Sequence, residues 1–516
     1  MMRKIFGIVM LCAVAASAMA MPARRGGVVR TAEDGTEKIV FLNGDETFHY
    51  LTDQEGNWLD ETTLMPLSEE TKTSTEKQGM ARMQARRAAL KQPGQKLLSP
   101  RGAIILVSFQ DKAFKSSNAD MTEWAMGENY TYNGATGSVR QYFLDQSWGQ
   151  YDMQIDVFGP VLVSNNASYY GENDRQGNDK HAADLIVEAC RLAHDSLGAD
   201  FSQYDIDGDD YVDWVVILYA GYGEADGGST STIWPHQYDL HYYNKQFPLD
   251  GDTIDHYCCL NEIDFDTKAR CGIGTFCHEF SHVLGLPDFY STNYSTHRTL
   301  HDWDVMDYGA YNNNGNTPPN YSAYERWFMG WMTPTLLNSA CTVSLPPLCD
   351  SHSACLLTED GSNVTDILDP NPNIFYLLEN RKKEGWDAPL AGEGLMVTRV
   401  KYNAGRWEYN TVNNNANGMG MNIIEAKPNT NNRKSYDTDL YPAGSGQFTQ
   451  ITNYQVTHIQ LDNHIITFDL NGGGQHITLD LDSIIVDDKP ATKEFVNGTI
   501  VIKRYGKSYD ITGKLL

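Results

Sequence analysis

Long apolar runs are scarce in this chain of 516 residues. The clearest one, Ile5–Ala16, lies at the start, and no later segment approaches the ~20 apolar residues of a membrane span. Two basic residues precede this run and the small-residue site Ala18-Met19-Ala20 follows it. This order is typical of a secretory signal peptide. We therefore expect residues 1–20 to be removed and the rest of the protein to be secreted.

Basic residues are also in deficit, with 40 Lys and Arg against 67 Asp and Glu and a formal net charge of −27. Such a surface repels nucleic-acid phosphates and anionic lipid, so we expect no nucleic-acid partner. With 41% hydrophobic residues the chain is too apolar for disorder, and it is too long for one ordinary domain. We expect a multi-domain globular protein, and the sequence leaves its oligomeric state open.

Cysteine is missing between residues 12 and 190, which excludes a cysteine switch in a propeptide. The later cysteines are even in number and lie in a chain predicted to enter a disulfide-permissive compartment. A free buried thiol is the alternative, above all for Cys190. The better candidates for pairing are the adjacent Cys258-Cys259 and the group at Cys341, Cys349 and Cys355.

The segment 21–101 divides into a strand-like part and a basic helical part. Lys38–Leu42 and Thr47–Leu51 flank Asn43-Gly44, which predicts a hairpin with its turn at these two residues. The later part, from Lys72 onward, is rich in Lys and Arg and holds the single acid Glu76. Exposed basic stretches favour proteolytic processing, so residues 21–101 are predicted to be a propeptide. A small domain that stays attached is the alternative.

From residue 102 onward, strand and helix patterns alternate. The amphipathic spacing of Lys180–Leu197 predicts a helix, with Gly198 ending it. The other predicted elements are a helix at Ser138–Asp145 and strands at Ala103–Phe109, Asp152–Val163 and Val212–Ala220. Residues 102–335 are therefore predicted to form an α/β (α+β) domain with a helix-backed mixed sheet.

Helical periodicity fades after residue 335. Ile374–Leu378 and Gly394–Val400 are typical of strands, and an Asn-rich loop region covers 410–432. We expect a β-rich, sandwich-like domain over 336–470 and a small β appendage over 471–516. The segment 496–516 resembles the sorting tails of some bacterial proteins exported by the type IX route, and an ordinary hairpin is the alternative. Release and attachment to the cell surface through this tail both remain open.

The segment from His278 to Asp288 fits the pattern H-E-x-x-H-x-x-G-x-x-D. On a helix, His278 and His282 project from one face and can bind one Zn²⁺. Gly285 permits the positive φ that ends such a helix, so that Asp288 can return as a third ligand. Three protein ligands leave a fourth position for water, and Glu279 lies beside the metal as a general base.

A second motif, Trp303-Asp304-Val305-Met306-Asp307-Tyr308-Gly309, follows this helix. A Met in a tight turn beneath a three-ligand zinc site is the metzincin arrangement. With both motifs the sequence resembles the secreted zinc metalloproteases of the immune inhibitor A family, which end the zinc motif with Asp. The likeness covers roughly Gly102 to Asn414. It includes Ser138–Phe143, Ser147–Gly149, Asp205–Glu224, Pro318–Ala323, Gly330-Trp331, Tyr376–Arg381 and Gly385–Asp387.

This resemblance implies a metzincin-like catalytic domain, a β-rich domain after it, and hydrolysis of peptide bonds in protein or peptide substrates. Carried over by position, His278, His282 and Asp288 are the zinc ligands. Glu279 is the catalytic residue, acting as general base and acid, and Met306 is the Met-turn residue.

Tyr308 and Tyr311 follow the Met-turn, and one of them could supply a hydroxyl to the metal or the oxyanion, as a tyrosine does in some metzincins. Packing is the alternative for both. Asp45 resembles, at a distance, the aspartate switch of astacin propeptides, and a plain exposed turn is its alternative.

Alternating carboxylates between residues 205 and 213 predict a second cation site, because oxygen ligands converge in this way around Ca²⁺. It is not an EF-hand, since the twelfth position holds Val216 instead of Glu. A solvated acidic turn is the alternative to a structural calcium site. The candidate ligands are Asp205, Asp207, Asp209 and Asp213.

The sequence thus predicts a secreted zinc-dependent endopeptidase. The alternative is a catalytically inactive secreted adhesin or glycan-binding protein with a structural zinc site. Glu279 favours the enzyme, because a structural site needs no carboxylate beside an open metal position.

Overall fold

A computed structural model describes residues 21–45, 48–75, 77, 101–174, 178–206, 208–293, 295–429, 431, 434–479, 492–496, 499–504 and 507–509. Within these ranges no helix combines the length and the apolar character needed to cross a bilayer. The predicted signal peptide, most of the predicted basic helix and Asp207 lie outside the described residues.

Residues 21–77, which we call the amino-terminal module, contain one four-stranded antiparallel sheet in the order β1-β2-β3-β4. Its strands are β1 (Gly27–Thr31), β2 (Glu37–Asp45), β3 (Phe48–Thr52) and β4 (Trp58–Leu59), and residues 69–75 are helical.

The predicted hairpin is confirmed, but its turn was placed wrongly. Asn43 and Gly44 lie within β2, opposite Tyr50 and His49, and the hairpin closes after Asp45. A Cβ on Gly44 would lie 2.1 Å from the carbonyl oxygen of Phe48. This glycine therefore permits a close approach of two strands instead of forming the turn itself.

The second part has a five-stranded sheet in the order β6-β5-β7-β11-β8. The first four strands are parallel and β8 runs antiparallel at the edge. The elements are β5 (Arg101–Ser108), α1 (Asn118–Met126), α2 (Val139–Gln146), β6 (Gln154–Leu162), α3 (Ala167–Tyr170), α4 (Ala182–Leu197), β7 (Val215–Tyr219), β8 (His236–Asp239), β9 (Phe247–Leu249), β10 (Asp252–Ile254), β11 (His256–Asn261), α5 (Gly274–Val283) and α6 (Ala323–Phe328).

This arrangement confirms the predicted helix-backed mixed sheet. β5 and β7 are almost fully buried, as continuous apolar strands of a parallel sheet should be. The helix α4 ends at Gly198, which adopts the left-handed conformation with φ 71°. Short 3₁₀ turns lie at Tyr132–Gly134, Phe201–Gln203, Leu240–Tyr243, His301–Trp303 and Tyr308–Tyr311.

The helix α5 lies against β8 and β11 and carries the H-E-x-x-H segment. Gly274 begins this helix where the chain passes very close to Ala310, because an added Cβ would be 1.9 Å from the Ala310 carbonyl oxygen. After the helix, Gly285 has φ 100°, as predicted for the residue that turns the chain.

The β-rich part that follows has two five-stranded sheets, β12-β14-β15-β16-β17 and β18-β19-β20-β13-β21. Its elements are β12 (Thr335–Leu336), β13 (Cys341–Leu345), α7 (Leu348–Ser351), β14 (Cys355–Thr358), β15 (Ile374–Arg381), a 3₁₀ turn at Gly385–Asp387, β16 (Gly394–Lys401), α8 (Ala404–Glu408), β17 (Met421–Ile423), a 3₁₀ turn at Asp437–Asp439, β18 (Phe448–Ile451), β19 (Tyr454–Asp462), β20 (Ile465–Leu470) and β21 (Gln475–Thr478).

One hydrophobic core joins these two sheets, as in a β-sandwich. Val343 and Phe468 of one sheet share it with Leu378 and Val397 of the other. The opposite face of the first sheet contributes Leu377 to the core of the second part. The second part and the first sheet of the sandwich therefore share one hydrophobic core.

The carboxyl-terminal strands differ partly from expectation. β21, predicted to lie in the appendage, pairs in parallel with β13 inside the sandwich. The predicted small β appendage consists of β22 (Thr492–Val496), β23 (Thr499–Arg504) and β24 (Lys507–Tyr509), which form an antiparallel sheet.

The disulfides that the sequence left possible are not present, and all eight cysteines after residue 20 are free thiols. Cys258 and Cys259 are successive residues of β11, so their side chains point to opposite faces of the sheet. Cys341 and Cys355 are buried in the sandwich core. The buried free thiol expected for Cys190 is confirmed.

Candidate active site

Three predicted ligands converge at one point. Nε2 of His278 and Nε2 of His282 are 3.2 Å apart, and Oδ1 of Asp288 lies 3.1 Å from the first and 3.3 Å from the second. All three side chains are almost completely buried. Among the described residues they form one of two groups whose ligand atoms lie close enough to hold a metal ion.

The orientation of each imidazole is fixed by its other ring nitrogen. Nδ1 of His278 lies 2.7 Å from the carbonyl oxygen of Val305, and Nδ1 of His282 lies 2.8 Å from that of Leu286. Since a carbonyl only accepts, each Nδ1 carries the hydrogen and each Nε2 presents a lone pair. Burial lowers the pKa of His278, which keeps that ring neutral and able to bind a metal.

These donors fit zinc. Ligands about 2.0–2.1 Å from a tetrahedral zinc ion lie about 3.3 Å from one another, close to the three separations found here. A buried carboxylate facing two imidazole lone pairs is an arrangement that a cation stabilises.

The Met306 segment supports the ligands through its backbone. Its neighbour Val305 accepts the hydrogen bond from His278, and the carbonyl oxygen of Met306 accepts one from the N–H of Phe289, next to Asp288. Asp304 accepts the N–H of Met306 at 2.8 Å and so shapes the turn. The fully buried Met306 thus belongs to a turn that holds two of the three ligand segments together.

Asn410 is a site residue that the sequence did not reveal. Its Nδ2 donates to Oδ2 of Asp288 at 2.5 Å, and its Oδ1 accepts the backbone N–H of Asp288 at 2.7 Å. Asn413 donates to the carbonyl oxygen of Phe289 in the same loop. The Asn-rich composition of this region was visible, but its contact with a ligand 122 residues away was not.

Glu279 is buried and faces the amino-terminal module. Its Oε1 accepts a hydrogen bond of 2.7 Å from the backbone nitrogen of Met21. The two residues are 258 positions apart. Met21 is itself fully buried. The residue predicted to be the general base therefore lies against the first described residue of the chain.

Tyr308 and Tyr311 both contact the first residues of the amino-terminal module. The hydroxyl of Tyr311 donates to the carbonyl oxygen of Pro22 at 2.8 Å, and the Arg25 guanidinium lies 3.4 Å from the ring centre of Tyr308. A role for either tyrosine at the metal or the oxyanion stays a prediction. A third aromatic residue, Tyr290, stacks near His278 and was not singled out from the sequence.

The predicted calcium ligands come together differently from the expected set. Asp205 lies close to Asp210 and Asp252, not in a group with Asp209 and Asp213. Asp205 accepts backbone N–H groups from residues 208–210, which folds the segment into a tight turn. Asp252 belongs to β10 and is too distant in sequence for the repeating pattern to include it. Calcium at this turn remains a prediction.

Comparison with known proteins places this site in a family. The profile of the immune inhibitor A peptidase M6 catalytic domain matches residues 108–332. This segment is similar to the catalytic domain of the immune inhibitor A peptidases. The matched range contains the three candidate ligands, Glu279 and Met306, whereas Asn410 lies beyond it.

Two relatives illustrate the relationship. Immune inhibitor A of Bacillus thuringiensis subsp. alesti is 30% identical over 218 residues, which cover 37% of this chain and 31% of that protein. Pre-pro-metalloprotease PrtV of Vibrio cholerae serotype O1 (strain M66-2) is 28% identical over 246 residues, 43% of this chain and 25% of that protein. The chain thus spans a third or less of the length of these two relatives.

Proposed function

We propose that the protein is a secreted zinc-dependent endopeptidase that hydrolyses peptide bonds in proteins. The observation that carries this proposal is the convergence of His278, His282 and Asp288 on one point, with Glu279 on the same helix. The peptidase family of residues 108–332 supports it. The proposed fold of this part is metzincin-like, with Met306 as the residue of the Met-turn.

The three ligands would hold the zinc ion, which supplies Lewis acidity when bound. Glu279 takes a proton from the attacking water and gives it to the nitrogen of the leaving half of the substrate. Its carboxylate oxygen is within hydrogen-bond distance of a backbone nitrogen in the cleft, which supports this second role. Val305 and Leu286 hold the imidazoles in one tautomer throughout.

Three finer parts of the proposal concern secretion, the amino-terminal module and a second cation site. The amino-terminal sequence supports secretion after removal of residues 1–20. We propose that the amino-terminal module is a propeptide, because its first residues contact Glu279 and Tyr311. A structural Ca²⁺ at the turn around Asp205 would use Asp210 and Asp252.

Casein hydrolysis by the processed protein tests the function. We expect activity that a zinc chelator abolishes, that added zinc restores, and that Glu279→Ala lowers by at least about a hundredfold. Asp462→Asn, at an exposed position at the end of β19, is the matched control and keeps full activity. Hydrolysis that survives either chelation or Glu279→Ala would contradict the mechanism. Zinc binding without hydrolysis would support a structural site instead.

A further inference from the structure

Residues 318–322, part of one of the segments that resemble the family, contact the helix α5 through one side chain. The hydroxyl of Tyr321 is hydrogen-bonded to Oγ of Ser281, which precedes His282 on this helix. Tyr321 and Ser281 are both completely buried. The contact therefore joins a segment without regular secondary structure to the helix that presents two of the candidate metal ligands.

The direction of this hydrogen bond is fixed by a second one. Oγ of Ser281 donates its only hydrogen to the carbonyl oxygen of Cys277 at 2.5 Å, because a carbonyl oxygen can only accept. The hydroxyl of Tyr321 is therefore the donor to Ser281. The Ser281 oxygen is thus bound to its own helix on one side and to Tyr321 on the other.

Ser281 lies where a contact can control the rotation of α5. Successive residues of an α-helix are about 100° apart around its axis, so His278 and His282 share one face. Glu279 then lies about 80° to one side of that face, and Ser281 lies about 80° to the other. A rotation of α5 about its axis would move the two histidines and Glu279 together, and the hydrogen bond from Tyr321 opposes it.

The backbone of Tyr321 is held by two helices of the peptidase part. Its N–H donates to Oε1 of Gln146 at 2.9 Å, and its carbonyl oxygen accepts a hydrogen bond of 3.2 Å from Nε of Arg326. Nη2 of Arg326 also donates to Oε1 of Gln146 at 3.0 Å, which links the ends of α2 and α6. Because both polar backbone groups of Tyr321 have partners, the residue is fixed without a helix or strand of its own.

The sandwich holds the residues on either side. The N–H of Asn320 donates to Oδ1 of Asp387 at 2.9 Å, and the carbonyl oxygen of Asn320 accepts a hydrogen bond of 3.2 Å from Nη2 of Arg381. The carboxylate of Glu379 accepts the N–H two residues after Tyr321 at 2.6 Å. Side chains of β15 and of the turn after it therefore bind the backbone both before and after Tyr321.

The ring of Tyr321 is enclosed by other aromatic side chains. It meets Tyr142 edge to face with the ring centroids 5.7 Å apart, and it stacks on Trp331 with the centroids 5.9 Å apart. Phe143 lies edge to face with it at 6.3 Å and also meets Phe280 of α5 at 5.3 Å. The ring therefore has little freedom to move its hydroxyl away from α5.

We propose that Tyr321 is a positioning residue of the peptidase, which acts through Ser281 to fix the rotation of α5 and with it the placement of Glu279 and the two histidines. This inference rests on the proposed function and adds to it a residue outside the ligand set and the general base. Without the hydroxyl, α5 adopts further rotations, and the fraction of the protein that is competent to bind zinc falls. The loss appears in zinc affinity and in kcat, not in KM, because the surface that binds the substrate is unchanged.

Tyr321→Phe in the processed protein removes this hydroxyl alone. Zinc affinity, measured in competition with a chelating dye, should fall about 3–10-fold, and kcat for casein at saturating zinc should fall by a similar factor with KM unchanged. A Tyr321→Phe protein with the zinc affinity and kcat of the wild type, whatever its stability, would overturn the proposal.

Tyr204→Phe is the matched control. Tyr204 is also buried, and its hydroxyl donates to Asp156 at 3.0 Å in β6, the edge strand opposite the side of the sheet where α5 lies. This variant should lose stability in urea unfolding, as Tyr321→Phe does, but should keep the zinc affinity and kcat of the wild type. Equal losses of zinc affinity and kcat in both variants would show a general structural effect and overturn the positioning role.

A double-mutant cycle tests whether Tyr321 acts through Ser281. Ser281→Ala should lower zinc affinity and kcat, and the addition of Tyr321→Phe to Ser281→Ala should cause no further loss. Losses that multiply in the double variant would overturn the path through Ser281.

The outcomes separate this inference from the proposed function. A wild-type protein that hydrolyses casein, beside a Tyr321→Phe variant that matches it in zinc affinity and kcat, would remove only the role of Tyr321. A processed wild-type protein that binds zinc and does not hydrolyse casein would refute the peptidase function and, with it, the role of Tyr321 in the reaction.

Discussion

His49 is a pH-dependent contact between the amino-terminal module and the peptidase part. Its Nε2 lies 3.4 Å from Oε1 of Glu224, and its ring stacks on Trp234 with the centroids 4.9 Å apart. Burial alone would lower the pKa of His49, but Glu224, with further contributions from Glu61 and Asp179, raises it to about 9. The folded protein therefore binds the proton of His49 more tightly than the unfolded chain does.

The size of the effect follows from this pKa. A rise from 6.5 to about 9 corresponds to about 3 kcal/mol in full and about 2.5 kcal/mol near neutral pH. Because the folded value is the higher one, this stability is fully present below the unfolded pKa of 6.5. It is lost as the pH rises through about 9.

The assay is urea unfolding of the full chain at several pH values, with His49→Gln beside the wild type. The difference between their free energies of unfolding should fall by about 2.5 kcal/mol between neutral pH and about pH 10. His458→Gln is the control, because His458 is an exposed histidine paired with Asp469. A difference between wild type and His49→Gln that stays constant over this range would refute the reasoning.

Three further predictions concern the site and its support. Asn410→Ala should weaken zinc affinity about 10–100-fold, measured in competition with a chelating dye, because it removes both contacts to Asp288. Asn417→Ala, at an exposed position, is the control and should leave the affinity unchanged. Unchanged affinity in Asn410→Ala would contradict this role. Arg381→Met should cost about 3–5 kcal/mol in urea unfolding, because it leaves the carboxylates that it bridges, those of residues 379 and 387, buried without their cation; a loss below about 1 kcal/mol would argue against it. Gly274→Ala should destabilise the protein by about 1–3 kcal/mol and lower zinc affinity, because the added Cβ would collide with the carbonyl oxygen of Ala310. Thermal unfolding and metal titration measure the two effects. The absence of both would show that the start of the helix can shift freely.

The convergence of the three candidate metal ligands could be predicted because its geometry is almost entirely local. His278 and His282 lie on one helical face, and Gly285 turns the chain so that Asp288 returns within a few residues. Helix periodicity and the φ preference of glycine are enough to bring these side chains together.

The remainder of the site depends on contacts between distant segments. Asn410 reaches Asp288 across 122 residues, and Met21 reaches Glu279 across 258. A pattern confined to a short window contains no information about such pairs. The same limit applies to the acidic turn around Asp205. The alternating pattern predicted a group formed only by residues 205–213, whereas Asp252, which lies close to Asp205, belongs to β10.

Two short sequence patterns also led to expectations that tertiary packing overrides. Asn43-Gly44 has the composition of a tight turn, yet Gly44 lies inside β2 because a neighbouring backbone needs the space of its missing side chain. Cys258 and Cys259 are adjacent in sequence, but successive residues of a strand face opposite sides of the sheet.

The contacts of Asn410 and Asn413 limit which segment can be exchanged between homologous proteins in a chimera. The family match ends at residue 332, but the carboxylate ligand of the site is held by a loop of the sandwich. A chimera that joined residues 108–332 to a foreign partner would inherit every ligand and lose the support of one of them. The unit that can be transplanted with an intact metal site must therefore extend at least through residue 414, because Asn414 contacts Thr292 and Asn293 in the segment after Asp288.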